Sequence, residues 1–228
     1  MKSKRKEKNK PKTPSPSGAF PWLRKSVFII IGIVFLSAVA FIWLSNHETR
    51  KVASIAPVNP ELLPGIQTND APWPSELSHL RERLNLIGFP ALTEEGSALH
   101  IHQHLDIYIH GKSVPVPAAI GFNALERFIS PIHTHDANGV IHIESPTVQK
   151  FTIGQFLDVW GVRFSSKCIG SYCEDQQNFL RAFINGQPMA GDPRSIELTD
   201  HQVIVITYGT SSEQPKPIPS QFQFPPGS

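Results

Sequence analysis

From Leu99 to Ile109 the chain alternates. Leu99, Ile101, Leu105, Ile107 and Ile109 take odd positions with Gln103, while His100, His102, His104, Asp106 and Tyr108 take even ones, and His110 follows. A period of two puts successive side chains on opposite sides of an extended backbone, so this stretch specifies a strand with one face in a core and one polar face. It commits the chain to a sheet-bearing fold, and it stacks imidazoles on the polar side.

A second group follows, His133-Thr134-His135-Asp136-Ala137-Asn138-Gly139-Val140-Ile141-His142-Ile143-Glu144. Asp136 to Gly139 has the composition of a hairpin loop. With a four-residue loop His133 faces His142. With Asn138-Gly139 alone as the turn, His135 faces His142 and His133 faces Glu144. In both registers His133, His135, His142 and Glu144 share a face. A three-residue loop would send His142 to the other side, because a slip of one residue inverts a strand. Directly opposed residues have Cβ atoms about 4.5–5.5 Å apart, close enough for two imidazoles to meet one cation.

Imidazole is the commonest protein ligand for borderline transition metals. The ligands expected from the sequence are therefore His102, His104, His133, His135 and His142, holding Cu(II) or Zn(II). Asp106, Asp136 and Glu144 are expected as partners for the ring nitrogens that do not bind metal. The plain alternatives are a solvent-facing sheet that tolerates histidine and a cluster that titrates as a pH sensor.

The rest of the chain divides by composition. Residues 1–25 carry nine Lys or Arg against Glu7 alone, a net +8. The whole chain is +2, which leaves −6 for residues 26–228. Residues 26–45 contain no charge, and at about 1.5 Å per residue a helix of that length spans a bilayer's hydrocarbon core. Trp22 and Trp43 lie near its ends, and the basic residues before it favour a cytoplasmic N-terminus. This predicts an uncleaved signal anchor. Ala38-Val39-Ala40 offers a signal-peptidase site as the competing reading, although Phe41 to Leu44 carries the apolar run beyond it. Residues 46–75, with prolines at 57, 60, 64, 72 and 74, predict a stalk. Residues 76–210 form the expected extracytoplasmic domain. Residues 211–228, polar and proline-rich, predict a disordered tail.

Within the domain, Leu77, Leu80, Leu84 and Ile87 make an apolar stripe that predicts a helix from a Ser75 cap to Ile87. Thr152 and Gln155 fit a capping box ahead of Ile153, Phe156, Leu157 and Trp160, with Gly161 as the stop. His110-Gly111 and Asn185-Gly186 each mark a turn between two short strands, read either as two hairpins or as a weak internal repeat. Val203 to Tyr208 is a strongly β-forming run. Cys168 and Cys173 predict a disulfide in an oxidising compartment, with a thiolate metal site as the competing reading. The expected architecture is α+β: a mostly antiparallel sheet of hairpins with one packed helix, preceded by a single transmembrane helix.

The strings HIHQHLDIYIHGK, HTHDANGVIHIESP, FTIGQFLDVWGV and CIGSYC resemble those of a group of exported or membrane-anchored bacterial proteins, over roughly residues 84–210. The resemblance implies one extracytoplasmic domain at a bacterial cell membrane. It brings no activity, cofactor or residue roles.

The helical zinc-protease pattern, the nucleophile elbow and a phosphate-cradling glycine loop are absent. Basic patches interleaved with aromatics are missing from the external part, so nucleic acid is not an expected partner. The sequence thus favours a metal-binding protein with the membrane and a metal ion as partners. The alternatives are a metal-dependent enzyme that activates water and a cell-envelope interaction protein without metal.

Overall fold

The structure is a computed structural model that describes residues 59–225. The basic tail, the expected anchor at 26–45 and the first part of the stalk lie outside the described residues. Among the described residues no helix is long and apolar enough to cross a membrane.

The alternating segment forms the long strand β1 (Leu99–Ile109). Around it, in chain order, come β2 (Lys112–Val114), β3 (Phe122–Asn123), β4 (Phe128–Ile129), β5 (Ile132–His133), β6 (Val140–Ser145), β7 (Cys168–Ile169), β8 (Tyr172–Cys173), β9 (Phe179–Ile184), β10 (Gln187–Pro188) and β11 (Gln202–Gly209). Seven strands make the main sheet, in the order β10-β9-β11-β1-β6-β5, with β2 paired to the end of β1. The hairpin pairs are antiparallel as expected, but β1 and β11 run parallel, from Gln103↔Gln202 to Ile109↔Tyr208. The centre of the sheet therefore joins distant parts of the chain and is not a hairpin.

Odd positions of β1 point inward. Leu105, Ile107 and Ile109 meet Ile141 and Ile143 of β6, Ile132 of β5 and Ile204 and Ile206 of β11 in one buried cluster. Two helices, rather than one, cover this inner face. Helix α1 (Leu80–Ile87) contributes Leu80, Leu84 and Ile87, and α2 (Ile153–Trp160) contributes Ile153, Phe156, Leu157 and Trp160. The capping box on α2 is complete. Thr152 Oγ1 accepts from the Gln155 amide at 3.3 Å, Gln155 Oε1 accepts from the Thr152 amide at 2.9 Å, and Gly161 closes the helix at φ 81°. Helix α1 starts later than its stripe suggests, after His79, which makes no side-chain cap. Ser75 is engaged elsewhere, donating its hydroxyl hydrogen to the Ala118 carbonyl at 2.8 Å.

Two boundary expectations are overturned. The described part of the stalk belongs to the domain. Trp73 is buried edge-on against Trp160 and Tyr172. Arg83, fully buried, pairs with the Glu76 carboxylate and donates to the carbonyls of Pro64 and Val159. Proline composition signals an extended backbone, but an extended segment carrying Leu63 and Trp73 can still lie against a core. The described part of the tail is likewise in place. Ile218 and Phe222 lie on Phe183, Val203 and Val205.

Cys168 and Cys173 are bonded across the β7–β8 pair, which removes the thiolate metal reading. His110-Gly111 (φ 48° and 74°) and Asn185-Gly186 (φ 49° and 79°) both adopt the left-handed conformation of two-residue hairpin turns.

Candidate metal centre

The polar face of β1 continues into its neighbours. His102 lies opposite His142 and His100 opposite Glu144 on β6, and His142 in turn lies opposite His133 on β5. This is the register of the four-residue loop. It leaves His135 just past the end of β5, where its ring turns back over the sheet. The centroids of His135 and His142 are 4.4 Å apart, those of His133 and His135 4.7 Å, and those of His102 and His142 4.5 Å.

One ligand atom from each of His133, His135, His142 and Glu144 lies within 4.8 Å of the other three. The separate distances are tighter: 3.1 Å between Nε2 of His133 and Nε2 of His135, 3.5 Å from His142 Nδ1 to Glu144 Oε1, and 3.8 Å from His133 Nε2 to Glu144 Oε2. A tetrahedral zinc ion with bonds of about 2.0–2.1 Å separates its ligand atoms by roughly 3.3 Å. The cluster is thus close to the size of a coordination shell and could hold a metal ion.

The tautomer of His133 follows from its surroundings. Its Nδ1 sits 3.0 Å from the Ser130 carbonyl, which can only accept, so Nδ1 carries the hydrogen and Nε2 presents a bare lone pair to the cluster. A backbone carbonyl here fills the orienting role that the sequence suggested for a carboxylate. Burial, and then the neighbouring His135, hold the His133 imidazole down at about 3. Burial, then His135, His102 and His100, do the same to His142, also to about 3. Both rings are neutral at physiological pH and need lose no proton to bind a cation. Burial also raises Glu144, and the adjacent Glu95 adds to this, to about 7.

Among His102, His133, His135, His142 and Glu144, three buried atoms lack a hydrogen-bond partner: Nδ1 of His102, Nδ1 of His142 and Oε2 of Glu144. Buried polar atoms are almost always paired, and each unpaired one costs about 1–3 kcal/mol. A cation held among them would satisfy the last two directly.

The structure separates the residues named from sequence. His102, His133, His135 and His142 converge. Glu144, expected behind the ligands, stands among them. His104 does not join them. Its Nε2 faces the Asn138 carbonyl at 3.1 Å and its ring stacks on Phe222 at 3.7 Å. Asp106 faces His104 at 3.7 Å, and Asp136 is exposed on the loop outside the cluster. Both therefore lie apart from the centre they were expected to support. His104 points to the same side as His102, but Val140 and not a histidine is its neighbour on β6.

Two residues were missed. His100 brings Nε2 to 3.2 Å from Glu144 Oε1, and Glu95 brings Oε1 to 3.5 Å from His135 Nε2. His100 lay on the right face and only its place near the strand end argued against it. Glu95 arrives on a loop pinned to the sheet edge. The Gly96 amide donates to the Glu144 carbonyl at 3.2 Å, and a Cβ on Gly96 would fall 2.1 Å from the Ser145 carbonyl carbon. Only glycine fits that approach, and nothing in the local sequence announces its target.

No family model, no curated protein and no solved structure matches this chain.

Proposed function

We propose that this protein binds a transition metal ion, Cu(II) or Zn(II), through His133, His135, His142 and Glu144, and that it does so outside a bacterial membrane to which residues 26–45 anchor it. The observation that supports metal binding above all is the convergence of the bare Nε2 of His133 with the unpartnered Nδ1 of His142 and Oε2 of Glu144, in a group at near-coordination spacing. The donor set of imidazole and carboxylate suits both ions. Anchoring rests on the uncharged run and the basic residues before it. An extracytoplasmic site agrees with the Cys168–Cys173 disulfide, since such bonds persist in oxidising compartments.

The test is stoichiometric Zn(II) in full-length protein made without an affinity tag and measured by elemental analysis. The double substitution His133→Ala with His135→Ala is expected to weaken Zn(II) binding by more than about 100-fold, beyond what loss of an outer partner alone does. Protein that stays metal-free in micromolar Zn(II) and Cu(II) would end this reading.

A further inference from the structure

The cluster holds more ligands than one ion uses. Four-coordinate zinc is filled by His133, His135, His142 and Glu144. His100 and His102 remain, and with Glu144 they form a second group whose ligand atoms also lie within 4.8 Å of one another. Their rings stand 4.8 Å apart between centroids. The two groups meet at one residue. Glu144 Oε1 lies 3.2 Å from His100 Nε2 and 3.5 Å from His142 Nδ1, and Oε2 lies 3.8 Å from His133 Nε2. The carboxylate is thus within about one coordination edge of imidazoles from both groups.

We propose that this is a two-ion centre bridged by Glu144, with a second divalent ion on His100 and His102. The proposal rests on the metal-binding reading above and extends it. A carboxylate that gives one oxygen to each ion suits the separation of about 3.5–4 Å typical of paired sites. The buried Nδ1 of His102 has no hydrogen-bond partner among the described residues, and the first ion has no use for it. The two positions differ in ligand count and not in access: His133 and His102 are both buried, and the His135 and His100 side chains are 43% and 54% exposed. The second ion has three protein ligands and its remaining positions open to solvent, so it is the exchangeable ion and the one that can take water or an anion.

The experiment is titration of metal-stripped, full-length protein with Zn(II) by equilibrium dialysis and with Cu(II) by electron paramagnetic resonance. Two Zn(II) per chain are expected, one of them lost in His100→Asn with His102→Asn. The second Cu(II) is expected to reduce the integrated signal below two spins, because a shared carboxylate couples the ions. Should the double variant misfold, His100→Asn alone, at an exposed position, is expected to weaken the second equivalent at least about tenfold. One Zn(II) in the wild type and in the variant would overturn the second ion and leave the single-ion reading intact. No bound metal would overturn both. Two uncoupled copper ions, or two Zn(II) retained without His100 and His102, would overturn the bridge.

Discussion

The outer face of the sheet has two halves that solve the same problem differently. On β11 and β9 it is mostly apolar, with Val203, Val205 and Phe183 beside Thr207 and Arg181, and the chain's own tail covers the apolar side chains with Ile218 and Phe222. On β1, β6 and β5 it is lined by imidazoles, and the described residues leave Nδ1 of His102, His104 and His142 and Oε2 of Glu144 without hydrogen-bond partners. Apolar surface needs only something apolar over it, and a proline-rich strap with a few large side chains is enough. Polar atoms out of water need directed partners. One half is therefore covered from within the chain, and the other gathers donor atoms that could hold an ion. His104 marks the border, with its ring stacked on Phe222 of the strap.

The strongest way to break this comparison within the apolar half is to strip the strap. Ile218→Ala with Phe222→Ala is expected to destabilise the protein by about 2 kcal/mol, since both side chains are partly buried. Zn(II) stoichiometry should not change. Chemical denaturation together with dialysis checks both, and a loss of metal here would show that the halves are not independent.

The polar half should reveal itself through pH. His133 and His142 are depressed from 6.5 to about 3 in the folded protein. The unfolded chain therefore takes up protons at these rings below 6.5 that the folded one refuses, and stability is lost as pH falls through that window. Glu144, raised from 4.5 to about 7, works the other way, because the folded protein keeps that proton longer. Burial holds His102 and His104 down as well, so between 4.5 and 6.5 the imidazoles outweigh the one carboxyl. The metal-free protein should melt at lower temperature at pH 5 than at pH 6.5, and His133→Asn with His142→Asn should flatten the dependence. A melting temperature that rises on acidification would contradict the buried, neutral imidazoles.

The smallest effect belongs to the border. His104→Ala is expected to change Zn(II) affinity by less than about threefold, well under 1 kcal/mol, and Asp136→Ala the same. Isothermal titration would detect a larger change, which would place His104 within the centre after all.

Much of this was legible in the sequence, for reasons that particular residues make plain. The two-residue period of β1 fixed which imidazoles share a face. Thr152, Gln155 and Gly161 delimited α2 because caps are local chemistry. The limits were set by contacts between distant segments. Trp73 and Phe222 sit in stretches whose proline content hid their apolar anchors. A clue to the strap did exist: Val203 to Tyr208 is apolar at nearly every position, and a strand without alternation must be covered on both faces. Glu95 left no such trace, since its place depends on Gly96 meeting Ser145.

The parallel pairing of β1 with β11 carries one more consequence. Gln103 meets Gln202, so the middle of the sheet cannot zip shut until synthesis has passed Tyr208, and such long-range pairing is slow. Every residue of the centre, from Glu95 to Glu144, leaves the ribosome well before that. A newborn chain thus exposes its imidazoles ahead of the frame that aims them.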